Sequence, residues 1–346
     1  MSKYNIQENS HSQLTNIIAE NFAQPDPELF RLAREESLRH YKGRIFIRGL
    51  VEISNYCKND CLYCGIRHGN HNLQRYRLTP EVILDCIQNG YALGLRSFVM
   101  QGGEDPGFPD HLMTDIIRGF RRKFHDASLT LSLGEKSREV YQAFFGAGAD
   151  RYLLRHETAA KHHYNRLHPP GMSFDERVRC LYTLKEVGFQ TGAGFMVGSP
   201  FQTPEDLAQD LLFLKELQPH MVGLGPFIAQ DDTPFAAYTS GGARESLVML
   251  ALTRLMLPEA MLPATTALVT ILAGDRKPIF DAGANVVMPN ISPLSTRKLY
   301  NLYNGKLSTG AESAEGLRAL AQQIHQAGYN PEFSRGDHIE YPHNQP

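Results

Sequence analysis

Three of the five cysteines of this chain fall within eight residues, in the run Cys57-Lys-Asn-Asp-Cys61-Leu-Tyr-Cys64. A thiolate is a soft ligand, and three so close together can grip one metal centre. Two chemistries compete for them. A structural zinc site needs a fourth protein ligand, for which His68 or His71 is available, and such sites often come as two separated pairs. No second cysteine pair stands elsewhere in the sequence. A three-cysteine set suits a 4Fe–4S cluster with one iron left without a protein ligand, where a small molecule can bind and be activated. Cys86 and Cys180 read as core residues. Cys86 shares a helical stripe with Val82, Ile83 and Ile87, and Cys180 lines up with Leu184 and Val187.

The cysteine run follows a strand-like segment, Ile45–Ile53, so a loop at a strand's C-terminal end is expected to carry it. From about Ile45 to Pro289, short apolar runs alternate with helix-length segments. Further strand candidates are Arg96–Met100, Leu129–Leu133, Arg151–Leu154, Gln190–Val197, Met221–Leu224, Ala264–Leu268 and Asn285–Met288, about eight in all. Gly94, Gly148, Gly188 and Gly283 precede four of them, and the near copies Ala147-Gly-Ala-Asp150 and Ala282-Gly-Ala-Asn285 each mark a helix C-cap glycine feeding a strand. This alternation predicts an α/β fold with a parallel sheet, open or closed. Leu129, Leu131 and Leu133 alternate with Thr130 and Ser132, and Ile45, Ile47, Val51 and Ile53 alternate with Arg48 and Glu52. In a closed barrel the apolar sets face outer helices, and Arg48, Glu52, Thr130, Ser132 and Arg155 line a lumen suited to a polar or ionic ligand.

Residues 1–43 read as an N-terminal helical extension, with two short helices divided by Pro25 and Pro27. Residues 301–346 read as a C-terminal helical extension closing the barrel, with a turn at Asn304-Gly305, a helix over roughly Ala311–Ala327 and an irregular end from Ser334. Thirty-five basic residues stand against 37 acidic ones, a net charge of −2, which argues against a nucleic-acid partner. No run of 18 apolar residues occurs, so no membrane span is expected. An odd, low cysteine count and a polar N-terminus point to a cytoplasmic protein without a disulfide framework.

The C-x3-C-x2-C spacing, with Tyr63 before the last cysteine, resembles the radical S-adenosylmethionine (SAM) superfamily. That resemblance implies a (β/α)8 TIM barrel over residues 44–300. It also implies one 4Fe–4S cluster on Cys57, Cys61 and Cys64, whose open iron chelates SAM and whose reduced form cleaves it to methionine and a 5′-deoxyadenosyl radical. Gln101-Gly102-Gly103-Glu104 resembles the superfamily's Gly-Gly-Glu element at the methionyl end of SAM. Glu157 resembles an acidic residue near SAM, Arg177 an arginine that reaches its carboxylate, and the stretch bearing Met196 the glycine-rich strand near the adenine.

Longer phrases are similar to the HydE family of FeFe-hydrogenase maturases, among them Glu52-Ile-Ser-Asn-Tyr-Cys57, Leu131-Ser-Leu-Gly-Glu135 and Pro263-Ala-Thr-Thr266, over about residues 14 to 330. The family implies action on a small organometallic or amino-acid-derived substrate, an iron–carbonyl–cyanide–cysteine precursor. It further implies HydG and HydF-type partners and an external electron donor. Arg155, Met221, Thr265, Thr266, Tyr300 and Tyr303 resemble residues of the family's internal cavity. Another radical SAM reaction, as in methylornithine synthase or biotin synthase, is the alternative within the superfamily. Some relatives carry three further cysteines near the C-terminus for an accessory cluster. The matching positions fall near Ser308, Gly316 and Ala319, and none of these is a thiol.

Overall fold

The run from Arg44 to Ser54 forms two strands, not the continuous one expected over Ile45–Ile53. In the computed structural model, which describes residues 3–307 and 314–341, β1 is Arg44–Ile47 and β2 is Gly49–Ser54. The break at Arg48 is a change of partner. Below it β1 lies between two short parallel strands, and above it β2 pairs with the next strand of the main sheet.

The other strands are β3 (Ser97–Gly102), β4 (Ser128–Ser132), β5 (Arg151–Leu153), β6 (Gln190–Ala193), β7 (Met196–Val197), β8 (Met221–Val222), β9 (Gly225–Pro226), β10 (Val286–Val287) and β11 (Asn330–Glu332). Six of them run parallel in the order β2-β3-β4-β5-β6-β8, with helices between them. Parallel bridges carry the circuit onward from Met221 to Met261, from Pro263 to Val286, from β10 to β1, and from Asn290 to Leu50. The strand-helix alternation thus returns to its start as a (β/α)8 arrangement. Two more expected strands are corrected. Gln190–Val197 divides into β6 and β7, which belong to different sheets. Ala264–Leu268 is not extended, because the ladder stops at Pro263 and Thr265 caps the helix Thr266–Ile271. There the Val269 N–H turns back to the Thr265 carbonyl at 3.0 Å, a helical bond in place of a cross-strand one.

Both faces of these strands are buried, Arg48, Glu52 and Thr130 as much as their apolar neighbours, and it is membership of the apolar core that follows the alternation. Ile45, Ile47, Val51, Ile53, Leu129, Leu131 and Leu133 lie in the main core, while Tyr41, Phe46, Met221, Met261 and Val286 form a separate cluster. Two N-terminal helices, His11–Ala23 and Pro27–Tyr41, pack on the outer helices Pro204–Leu217 and Ala243–Met256. Ser10 and Gln13 make a capping box on the first, and Pro27 opens the second. Among the described residues, no helix is long and apolar enough to cross a membrane.

The segment from Ser334 has no regular structure, as expected, yet it has a definite place. It crosses the end of the barrel at which β4, β5 and β6 begin. Arg151, fully buried, donates to Asp337 Oδ1 at 2.6 Å, to the Arg335 carbonyl at 2.6 Å and to Ser128 Oγ at 2.8 Å. Gln190 and Arg335 donate to the same Asp337 carboxylate, each at 2.9 Å. Burial alone would raise the Asp337 pKa, but the Arg151 guanidinium and these donors outweigh it and hold it at about 2. A carboxylate depressed in this way contributes stability above its unfolded pKa and loses it as pH falls towards the folded value. Asp337→Asn is therefore expected to cost about 2–3 kcal/mol at pH 6. The gap to the parent should close between about pH 4 and pH 2, as read by denaturant unfolding across that range.

Candidate active site

The cysteine loop leaves β2 after Ser54 and lacks regular structure from Asn55 to Tyr76. Its backbone groups therefore need side-chain partners. The guanidinium of Arg75 supplies four bonds, to the carbonyls of Asn55 (2.5 Å), Ile66 (2.9 Å), Arg67 (2.6 Å) and Asn70 (3.0 Å). The Asn55 amide donates to the carbonyls of Gln74 and Leu299 and accepts from the Tyr76 N–H. Asp60 accepts from the Gly69 N–H at 2.8 Å and from Arg67 at 2.6 Å. Lys58 pairs with Glu104 at 3.1 Å. The sequence alone suggests that Lys58 and Asp60 are simply solvated. Both are substantially exposed, as expected, and both also tie the loop down. Arg75 and Asn55 are the residues that sequence reasoning missed. Their signal is a long irregular stretch full of carbonyls that needs donors nearby.

Cys57, Cys61 and Cys64 are half-buried free thiols, and Cys61 Sγ lies 3.7 Å from Met172 Sδ. Burial pushes all three thiols up, Cys64 to about 12, and mutual repulsion adds to this at Cys61 and Cys64. Without a metal they hold their protons, and only a bound cationic centre makes three thiolates favourable here. Four ligands around one zinc, each about 2.3 Å from it, lie within about 4 Å of one another. Among the described residues, the donor set gathered within 4.8 Å is His220, His338 and Glu340, and the three cysteines are not such a set. Three cysteines without a fourth protein ligand suit a cluster that leaves one iron open. Cys86 and Cys180 lie in the core.

The Gln101–Glu104 element ends β3 directly behind this loop. A Cβ on Gly103 would stand 2.2 Å from the Tyr56 carbonyl oxygen and 2.7 Å from Cys57 Cβ, so only glycine lets the two loops meet. Glu104 is buried, and its Oε1 accepts from the Glu135 N–H at 3.1 Å. Gln101 donates to the Tyr300 hydroxyl at 3.4 Å. On the loop's other flank, His168 Nδ1 lies 2.9 Å from the Tyr164 carbonyl and so carries the ring proton. Its Nε2 then accepts from the Tyr63 hydroxyl at 3.2 Å. Tyr63 and Leu62 pack on Met196, Leu167, Phe227 and Phe235, which presses the cysteine loop against β7.

Beyond β5, Arg155 donates to the Phe195 carbonyl at 2.7 Å and pairs with Glu157 at 3.2 Å. Arg177 donates to Glu135 at 2.5 Å and to the Arg155 carbonyl at 2.6 Å. Cysteine loop, Gly-Gly-Glu element, Glu157 and Arg177 thus gather at one end of the barrel.

The expected cavity residues are more dispersed. Tyr300 is buried beneath Lys306, whose Nζ sits 4.8 Å above its ring. The Tyr303 hydroxyl is buried, and burial pushes it up. Thr265 donates to the Leu224 carbonyl at 3.1 Å. Thr266 lines a cavity of about 520 Å³ together with Glu52, Asn290, Lys306 and Arg276. Glu52 is held there by Asn290 at 2.8 Å and Lys306 at 2.5 Å. Met221 lies near the opposite end, where its sulfur accepts from Arg48 at 3.0 Å. Gly316 and Ala319 line the same cavity as Thr266, and Ser308 lies outside the described residues.

Residues 51–214 match the model of the Radical SAM superfamily. Over 303 residues the chain is 45% identical to the [FeFe] hydrogenase maturase subunit HydE of Thermotoga maritima, covering 88% of this chain and 86% of that one. The 3-methylornithine synthase of Methanosarcina barkeri is 24% identical over 308 residues, 88% of this chain and 85% of that one. A crystal structure of methylornithine synthase superposes with a TM-score of 0.81 at 22% identity, covering 95% of this chain and 96% of the other. The maturase HydG from Carboxydothermus hydrogenoformans superposes with a TM-score of 0.75 at 19% identity, covering 94% and 76%. The two structural matches show a shared fold.

Proposed function

The chain belongs to the HydE family of radical SAM enzymes, and from that premise we propose how its residues divide the work. It is a radical SAM enzyme of FeFe-hydrogenase maturation. The observation that carries the site assignment is the contact of Gly103 with Tyr56 and Cys57, which joins the cysteine loop to the Gly-Gly-Glu element. Cys57, Cys61 and Cys64 hold one 4Fe–4S cluster, which when bound supplies the electron that cleaves SAM.

Around it the protein binds, orients and keeps water out. Gln101, Gly102 and Gly103 bring backbone to the methionyl end of SAM. Glu104, fixed by the Glu135 N–H and Lys58, receives its ammonium. Arg177 offers its guanidinium to the carboxylate while Glu135 steadies it. Glu157, Tyr63 and Met196 border the nucleoside. The packing of Tyr63 and Met196 in one apolar cluster supports a dry wall on that side.

The substrate is an anionic small molecule, of the organometallic or amino-acid-derived kind, an iron–carbonyl–cyanide–cysteine precursor. The Arg155 guanidinium at the site end of the barrel supports that class. Tyr300, Tyr303, Thr265 and Thr266 complete the walls of its cavity, and Met221 lies farther along the barrel, beside Arg48. HydG supplies the substrate, a HydF-type protein receives the product, and a separate donor in the cytoplasm provides electrons. Anaerobic incubation with the HydG product and a HydF-type protein, followed by transfer to apo-hydrogenase, tests this reading. Hydrogenase activity is the expected result, and its absence despite SAM cleavage overturns the maturase role.

Arg155→Met separates cofactor from substrate. It should leave formation of 5′-deoxyadenosine within about threefold of the parent and lower hydrogenase activation by about 10²-fold, the order expected when an orienting contact is lost. Loss of SAM binding in this variant would move Arg155 into the cofactor site.

A further inference from the structure

Glu157 adopts φ +67°, in the left-handed region that a non-glycine residue holds only when its surroundings over-determine it. Those surroundings are specific. The Glu157 N–H donates to the Gly194 carbonyl at 3.0 Å, and the Met196 N–H donates to the Glu157 carbonyl at 3.1 Å. The residue before it, His156, is fully buried against the rings of Phe195 and Phe213. Its Nδ1 accepts from the Gly194 N–H at 3.3 Å, which puts the ring proton on Nε2. Nε2 lies 3.2 Å from Oδ1 of Asp210, midway along the helix Pro204–Leu217. The same oxygen accepts from the Ala159 N–H at 2.5 Å. A single carboxylate oxygen therefore clips the chain on both sides of Glu157.

We infer that Asp210, acting through His156 and the Ala159 N–H, is a positioning residue that holds Glu157 in its left-handed conformation and so aims its carboxylate at bound SAM. This rests on the reading of Glu157 as a SAM contact. Packing alone does not call for an aspartate here. The side chain is fully buried, its second oxygen has no hydrogen-bond partner, and an apolar residue at this position would avoid that desolvation cost. Burial pushes Asp210 up and holds His156 down at about 3, so the imidazole stays neutral with the proton arrangement that the clip needs. Arg155, on the other side of His156, is tied to Phe195 and Glu157, so it turns with the same segment.

The test is a double-mutant cycle read as the SAM dissociation constant of the cluster-loaded enzyme. Glu157→Gln and Asp210→Ala are each expected to weaken SAM by about tenfold, and the double variant to be no weaker than Glu157→Gln alone, because both changes remove one interaction. Asp210→Asn keeps an oxygen for both donors and should stay within about twofold of the parent. If Asp210→Ala does not fold, His156→Phe keeps the ring packing, breaks both nitrogen bonds and should reproduce the loss. Multiplicative effects in the double variant, or no effect of Asp210→Ala and His156→Phe while Glu157→Gln weakens binding, overturn the clip. No effect of Glu157→Gln overturns the SAM contact itself, and the clip with it.

Discussion

Changing any one of Cys57, Cys61 and Cys64 to alanine is expected to abolish formation of 5′-deoxyadenosine and to leave the reconstituted protein short of iron. Removing a supporting partner of a metal ligand costs about 10–100-fold, so loss of a ligand should exceed that. The reason lies in the thiol energetics. Each sulfur sits where burial favours its protonated form, so two thiols without the third have little to offset the cost of ionising. The parent should bind about four irons and four sulfides, the content of one 4Fe–4S cluster. Cys86→Ser and Cys180→Ser serve as controls, since both residues lie in the core away from the loop. A Cys61→Ala protein that keeps full 5′-deoxyadenosine formation would remove that residue from the site. An iron signal that survives loss of all three cysteines would reveal a second centre.

Sequence made parts of this molecule legible and hid others for physical reasons. The strands are visible because one face packs on apolar helices and the other turns polar side chains inward, which imposes a period of two, and Leu129–Leu133 shows it without interruption. The cysteine loop was visible because soft ligands at short spacing have few other uses. The segment Ala264–Leu268 reads as a strand because Thr265 and Thr266 favour one locally, whereas the tertiary ladder stops at Pro263 and frees them to start a helix. The supports of the loop were hidden for a different reason. Arg75 and Asn55 act on backbone carbonyls, which leave no side-chain signature in a sequence. The closing tail escaped for the same cause. Arg335, Asp337 and the Gly336 carbonyl read as an irregular end, and only the buried Arg151 and Arg48 that they meet give them a role. The substrate residues were the least legible, since Thr266, Met221 and Arg155 share no period and lie in different parts of the barrel.

Gly103→Ala is expected to be nearly as damaging as loss of a cluster ligand, and Gly102→Ala much milder. The two glycines are adjacent, and a propensity argument would treat them alike. Their surroundings differ. A Cβ on Gly102 would meet Ile53 Cγ1 at 3.3 Å and the Ser54 carbonyl at 3.4 Å, contacts that a shift of a few tenths of an ångström relieves. On Gly103 it would meet the Tyr56 oxygen at 2.2 Å and Cys57 Cβ at 2.7 Å. Backbone cannot swing aside as a side-chain end can, and here it is anchored. The Asn55 carbonyl is held by Arg75, and the Lys58 N–H donates to the Glu104 carbonyl at 2.9 Å. The added methyl must therefore push the first cluster cysteine away from the Gly-Gly-Glu element. Overpacking of this kind costs about 1–3 kcal/mol in stability. A displacement near 1 Å at a reacting centre costs about 10²-fold in rate. Iron content, SAM affinity and 5′-deoxyadenosine yield measured side by side should show Gly103→Ala depressed in all three and Gly102→Ala close to the parent. Gly146→Ala, where a Cβ meets nothing within 4 Å, sets the baseline. Equal behaviour of Gly102→Ala and Gly103→Ala would mean that the contact between the two loops does not hold Cys57 in place.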